Sequence, residues 1–94
     1  MSDRYKFVPS TKYRKDYKRC KKRGWDMALL DETVKKLCRG EKLDDTQFDH
    51  PLGGDYQQYR ECHIKFDWIL VYEIIDADHL KAWKTGTHDE VFGK

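Results

Sequence analysis

The sequence predicts an α+β domain of order β-α-α-β-β-β, with an antiparallel sheet packed on an N-terminal helical hairpin. Three observations predict it. Apolar residues recur at helical spacing up to Gly40 and follow strand patterns from Tyr56 onward. Two capping signals, Ser10 and Asp26, stand at the starts of the two helical stretches. The length, 94 residues, holds one domain and no second, so residues 1–94 are read as a single unit.

Tyr5-Lys6-Phe7-Val8 is the first strand, stopped by Pro9. Ser10 then caps a helix whose apolar stripe is Tyr13, Tyr17 and Cys20, at i, i+4 and i+7. Nearly every other position in it is Lys or Arg, and Gly24 ends it. Asp26 caps the second helix, whose stripe is Met27, Leu30, Val34, Leu37 and Cys38, and Gly40 ends that one. So short a link predicts an antiparallel hairpin. Residues 41–55 read as a loop. Tyr56 to Ile64 is the next strand. Trp68 to Ile75 is almost wholly apolar and reads as a central strand buried on both faces. After a turn at Asp76-Ala77-Asp78, His79 to Thr85 is the last strand. Regular alternation puts Leu80, Ala82 and Lys84 on one of its faces, and Lys81, Trp83 and Thr85 on the other. The tail, Thr87 to Lys94, carries His88 and Phe92.

Composition narrows the function. Hydrophobic and charged residues each make up 38%, which allows one modest core. An aromatic share of 14% argues against disorder. The run Trp68–Tyr72 is far too short to span a membrane, and Met1–Ser10 lacks the apolar stretch of a secretory signal. Three widely spaced cysteines, Cys20, Cys38 and Cys62, with no CxxC read as reduced thiols, so the expected compartment is the cytoplasm. Charge is uneven. Residues 1–42 hold 14 Lys+Arg against 6 Asp+Glu, and residues 43–94 hold 5 against 11. The basic half points to a polyanion partner, or else to a solvated Lys-rich helix face.

Three of the four histidines, His50, His63 and His88, come from different elements of the C-terminal part. Singly each reads as an ordinary surface histidine; together they can converge on one cleft. Histidines beside basic residues suit cleavage of an RNA phosphodiester. One group takes the 2′-OH proton, another protonates the leaving 5′-oxygen, and imidazole does either near neutral pH. Lys84 and Arg60 are cations available for the charge that builds on phosphorus. Glu61 and His63 share one strand face and Arg60 takes the other. A zinc set of His50, His63 and His88 with Asp67 or Cys62 lacks the close-spaced ligand pairs that usually seed such sites. A Cys62–His63 nucleophile pair is disfavoured because adjacent strand residues face opposite ways. Phe92 is either a core plug or a platform for a base, and Trp68 and Trp83 go to packing. Gly53-Gly54 supports no phosphate loop.

Asp49-His50-Pro51-Leu52, Tyr59-Arg60-Glu61-Cys62-His63-Ile64, Asp67-Trp68-Ile69-Leu70-Val71-Tyr72, Thr85-Gly86-Thr87-His88 and Phe92-Gly93 together resemble the YafQ branch of the RelE/ParE toxin superfamily. The resemblance runs along nearly the whole chain. It implies a RelE-like fold and a type II toxin: an endoribonuclease that cuts mRNA in the ribosomal A site and is held inactive by a cognate antitoxin. Its implied partners are that antitoxin, the ribosome and mRNA, with no membrane, no DNA except through the antitoxin complex, and no cofactor or metal. His50, His63, Asp67, His88 and Phe92 match active-site positions of the family. Lys84 stands where several relatives carry Arg, Glu61 where the branch carries Asp, and Phe66 where relatives often have Pro. The resemblance implies that His88 is the general acid and that His50 or Glu61 is the base. His63 and Lys84 stabilise the transition state, Asp67 orients a histidine, and Phe92 meets the base. Lys12, Arg14, Lys15, Lys18, Arg19, Lys21, Lys22 and Arg23 then contact ribosomal RNA phosphates. The rival readings are a non-catalytic gyrase inhibitor of ParE type, an RNA-binding module without cleavage, and a metal-binding module.

Overall fold

The computed structural model describes residues 3–93; Met1, Ser2 and Lys94, the outermost residues of the predicted 1–94 domain, lie outside that range. Strand β1 (Lys6–Pro9) leads into helices α1 (Thr11–Lys22) and α2 (Met27–Cys38). A long loop then carries a two-residue strand, β2 (His50–Pro51). Strands β3 (Arg60–Lys65), β4 (Trp68–Asp76) and β5 (His79–Thr87) follow, and the short helix α3 (His88–Phe92) comes last. The strands form one sheet in the order β1-β5-β4-β3-β2.

Both helices start where the sequence predicts. The Ser10 hydroxyl accepts the Tyr13 N–H at 2.9 Å, and the Asp26 carboxylate accepts the Ala28 N–H at 3.2 Å. Each side chain satisfies a backbone donor that has no partner inside its helix. Gly24 and Gly40 stand just past the two helix ends. The Tyr17 hydroxyl donates to the Asp31 carboxylate at 3.1 Å and ties α1 to α2. One core lies between these helices and the sheet. Tyr13, Leu30, Val34 and Leu37 pack there on Cys62, Leu70, Tyr72, Leu80 and Ala82. Fully burying a leucine is worth roughly 1.5–3 kcal/mol relative to leaving it exposed, so this face supplies most of the fold's cohesion. The opposite face carries a smaller apolar cluster, Ile69, Val71 and Val91, edged by Leu52, Tyr59 and Trp83.

The structure departs from the sequence reading in several places. The sheet is mixed, not antiparallel throughout. β1 runs parallel to β5, because the two intervening helices carry the chain back across the sheet. The predicted strand from Tyr56 begins only at Arg60; Gly54–Tyr56 form a 3-10 turn instead. His50 and Pro51, read as loop, pair with Glu61 and Arg60. In β4, burial on both faces holds for Trp68 to Tyr72 and fails at Ile74 and Ile75, which are exposed near the strand's end. The tail is helical, started by a reciprocal Thr87–Glu90 cap.

The departure that matters for function is in β5. Val71 pairs with Lys84 and Tyr72 with Ala82, so the register slips at Trp83. The bulge puts Trp83 and Lys84 on the same side of the sheet, and Lys84 does not share the face of Leu80 and Ala82. Thr85 turns inward instead, paired with Leu70. A period of two cannot anticipate an inserted residue.

Candidate active site

The open face of the sheet gathers Glu61 and His63 from β3, His50 from β2 and His88 from the start of α3. Glu61 and His63 face one way, as the strand period predicts. The Glu61 carboxylate is the hub. Its Oε1 lies 3.7 Å from His50 Nε2, 3.8 Å from His63 Nε2 and 3.6 Å from His88 Nε2. Glu61 is 7% exposed, whereas the three imidazoles reach solvent. These separations exceed good hydrogen bonds, so the imidazole nitrogens stay available to a substrate.

Two contacts orient the histidine rings. His50 Nδ1 lies 2.9 Å from the Pro51 carbonyl oxygen. A carbonyl only accepts, so Nδ1 donates to it, and Nε2 is the nitrogen that faces the site. His88 Nδ1 donates to the Asp67 carboxylate, and the His88 backbone N–H donates to the same oxygen at 3.3 Å. The Asp67 hydrogen bond holds the His88 pKa above the ordinary histidine value, against a smaller lowering by burial. The same hydrogen bond holds Asp67 below the usual carboxylate value. His88 therefore keeps its proton at a pH where a free imidazole is losing it, with Nε2–H turned to the site.

Asp67 stands in the two-residue turn between β3 and β4. Phe66, beside it, has φ +50°. Proline cannot adopt that angle, so this turn is built differently from one that carries Pro at the same place. Phe92 is half exposed and its ring lies 6.2 Å from the His88 ring, between centroids. Lys84, aimed to this side by the bulge, donates to the Val91 carbonyl at 3.3 Å, so its ammonium braces α3.

Three groups escaped the sequence reading. Phe48, 62% exposed, sets its ring edge to face with His63 at 5.5 Å. Its position two residues before His50 was the available signal. Asp49, Arg60 and Tyr72 form a clamp on the helix side of the sheet. The Tyr72 hydroxyl donates to Asp49 Oδ1 at 2.6 Å, and Arg60 Nε donates to the same oxygen at 3.1 Å. The clamp fixes the residue before His50 against the residue before Glu61. Asp16 is 1% exposed in an otherwise basic helix and accepts from Lys12 at 2.6 Å, Arg19 at 2.7 Å and the Thr85 N–H at 3.2 Å.

The basic helix divides in two. Arg19 Nη2 donates to the Thr85 carbonyl at 3.0 Å, and Arg19 and Arg23 both pair with Glu90. The Arg23 hydrogen bond foremost holds the Glu90 carboxyl at about 2. Gly86 allows this crossing. A Cβ there would sit 2.6 Å from Arg19 Nη2 and 2.9 Å from Glu90 Oε1. Arg19 and Arg23, predicted to contact RNA, are thus spent on holding α3 to α1, and Lys12 is paired with Asp16. Arg14, Lys15, Lys18, Lys21 and Lys22 are exposed and make no ion pair among the described residues.

The metal alternatives also change. Glu61, His63 and His88 offer ligand atoms within 4.8 Å of one another, a trio different from the zinc sets with Asp67 or Cys62. Cys62 is buried on the helix side, paired with Leu70, and burial pushes its thiol pKa up, so it is neither ligand nor nucleophile here. Among the described residues no helix is long and apolar enough to cross a membrane.

This fold has close counterparts. The mRNA interferase toxin YafQ of Escherichia coli K12 is 39% identical over 85 residues, covering 89% of this chain and 91% of that protein. The E. coli DinJ-YafQ toxin-antitoxin complex contains a chain that superposes with a TM-score of 0.87 at 36% identity, over 96% of this chain and 99% of that one. A metal-bound toxin from Helicobacter pylori superposes with a TM-score of 0.87 at 37% identity, over 94% and 99%. Residues 5–93 match the family described as bacterial toxin of type II toxin-antitoxin system, YafQ, and the chain belongs to that family.

Proposed function

We propose that this toxin cuts mRNA in the ribosomal A site, with His50 as general base and His88 as general acid. The enzyme class follows from the family: its curated relatives are mRNA interferases, and this chain is an endoribonuclease of the same kind. The observation that carries the mechanism is the different anchoring of two imidazoles around one carboxylate. His50 is anchored through Nδ1 on the Pro51 carbonyl and turns Nε2 to the site, whereas the Asp67 hydrogen bond holds the proton on His88.

The steps balance without a cofactor. His50 Nε2 takes the 2′-OH proton, and Glu61, 3.7 Å away, stabilises the imidazolium that forms. The 2′-oxygen attacks phosphorus. His63 and Lys84 meet the charge that builds on the non-bridging oxygens. His88 Nε2–H protonates the departing 5′-oxygen, which leaves a 2′,3′-cyclic phosphate and a 5′-hydroxyl. Asp67 orients His88, and Phe92 stacks on a neighbouring base. A gyrase inhibitor that works by contact needs no such acid and base.

Arg14, Lys15, Lys18, Lys21 and Lys22 supply the ribosomal RNA contact. An antitoxin partner fits the family, since the E. coli relative is solved with DinJ. A ribosomal target places the toxin in the cytoplasm. The test is a purified translation system with one defined mRNA, mapping fragment 5′ ends with and without ribosomes. In-frame cuts that require ribosomes and carry 5′-hydroxyls are expected. Cuts on free RNA alone would remove the ribosome from the mechanism; no cuts would overturn the enzyme reading.

A further inference from the structure

Beside the histidine cluster, the open face holds a groove of about 610 Å³, of whose lining the roles above use Phe92 and Lys84 alone. Its walls are Tyr56, Tyr59, Trp83 and Phe92, its floor includes Val71, and Lys84 stands at its edge. We propose that this groove is a nucleobase subsite, which holds by stacking the base of the nucleotide next to the scissile phosphate. The proposal rests on the ribonuclease reading above and names where its substrate lies.

Four observations carry it. The first is continuity. Val71 pairs with Glu61 on one side and with Lys84 on the other, so the groove and the hub carboxylate share a floor residue. Glu61 and Lys84 lie two strand spacings apart, roughly 10 Å, which one nucleotide bridges. The second is wall chemistry. Four aromatic rings line the groove beside the aliphatic Leu52, Val71 and Val91. Tyr59 packs edge to face on Trp83 at 5.8 Å, and Tyr56 lies 6.3 Å from Tyr59. Tyr56 is 62% exposed and buries little in the fold, so its ring is free for a ligand. Single-stranded RNA is held in this way, by rings that accept any base face.

The third is charge. Glu90 also lines the groove, yet Arg19 and Arg23 both neutralise it, so it does not repel a phosphate. Lys84 is the cation at the edge and can meet a phosphate as a point charge. The fourth is construction. The β5 bulge aims Trp83 and Lys84 to this face together, which makes one ring of the wall and its cation a single local device. Stacking reads base shape weakly, so the subsite gives a preference among bases and not a strict code.

The chain carries its own probes. Its three tryptophans are Trp25, Trp68 and Trp83; Trp25 and Trp68 pack against each other in the helix-side core, and only Trp83 lines the groove. The experiment is a titration of the ¹⁵N-labelled full chain, following the indole N–H signals, with adenosine 3′-monophosphate, adenosine and inorganic phosphate in separate series. The expected result is a saturable shift of the Trp83 signal with the nucleotide and the nucleoside. Trp25 and Trp68 stay still, and phosphate alone leaves Trp83 unmoved. Tyr56→Leu should weaken nucleotide binding about 5-fold or more, the loss of one base–ring stack. A Trp83 signal that moves with none of the three, or equally with phosphate alone, overturns the subsite. So does a Tyr56→Leu protein of wild-type affinity. Binding needs no cleavage, so the two readings fail separately. Nucleotide in the groove of a chain that cuts no mRNA sinks the ribonuclease and spares the subsite. Ribosome-dependent cutting with an empty groove does the reverse.

Discussion

The two faces of the sheet are made by the same strands and differ in one respect. On the helix side every notable polar group is spent. Trp68 Nε1–H donates to the Thr85 hydroxyl at 2.9 Å, and that hydroxyl donates to the Ile69 carbonyl at 2.8 Å. Asp16 has three partners, and Asp49, Arg60 and Tyr72 satisfy one another. On the open side the Nε2 nitrogen of each imidazole is held near one carboxylate and not spent. Three imidazole nitrogens stop 3.6–3.8 Å from Glu61 Oε1. One face invests its hydrogen bonds in holding shape, and the other keeps its hydrogen-bonding capacity for a substrate. Strand β3 shows both. Arg60 and Cys62 serve the first face, Glu61 and His63 the second.

Substitutions on the two faces should therefore break different things. His88→Ala removes the acid, and cleavage in the translation assay should fall about 10²- to 10⁴-fold, with the melting temperature little changed. Full activity would sink the role. Leu70→Ala, at a fully buried core position, should cost about 2–5 kcal/mol of stability by chemical denaturation. The protein that remains folded should still cut RNA. Tyr72→Phe removes the hydroxyl bound to Asp49 and should cost about 1.5–3 kcal/mol, a charged partner being involved. It crosses the comparison, because the clamp also fixes His50; a rate loss that disappears in a His50→Ala background would show that it acts through His50.

Asp67→Asn is subtler and shows in the pH profile. The Asp67 pair raises the His88 pKa, so the acid form persists to higher pH in the native protein. The variant's basic limb of activity should move to lower pH. The sign for stability is the same. The pair's contribution is present below the ordinary histidine pKa, fades as pH rises through the raised His88 value, and fades again as pH falls through the lowered Asp67 value. An unmoved basic limb would remove Asp67 from the mechanism. The gentlest perturbation is reversible. Cu²⁺ should occupy Glu61, His63 and His88, whose ligand atoms cluster within 4.8 Å, and inhibit cleavage by taking the nitrogens needed for proton transfer. EDTA should restore the rate, and inhibition that survives in His63→Gln would place the metal elsewhere.

The two long helices were legible in the sequence because their signals are local. Ser10, Gly24, Asp26 and Gly40 act within one turn of where they stand, and the apolar stripes repeat at a fixed period. The pairing of Glu61 with His63 was legible for the same reason, since two residues on a strand separate like faces. The histidine set was visible as a resemblance, through motifs spread along the chain. Lys84 was misplaced because a bulge depends on how β4 and β5 pair, which no single strand records. The pairing of Arg19 and Arg23 with Glu90 was not legible, because Glu90 lies about 70 positions away. Phe48 and the Asp49–Arg60–Tyr72 clamp were missed likewise, since each bridges separate segments.

The sequence by itself determined the two long helices and their apolar stripes, the body of the four longer strands, and which residue types are present for acid–base work. Those properties follow from interactions between residues a few positions apart. Tertiary structure decided which imidazole is paired with a carboxylate at hydrogen-bond distance, which cations remain free, and where the aromatic groove lies. Each of those depends on distances between elements, and electrostatics and hydrogen bonding change over a few tenths of an ångström that no periodicity encodes.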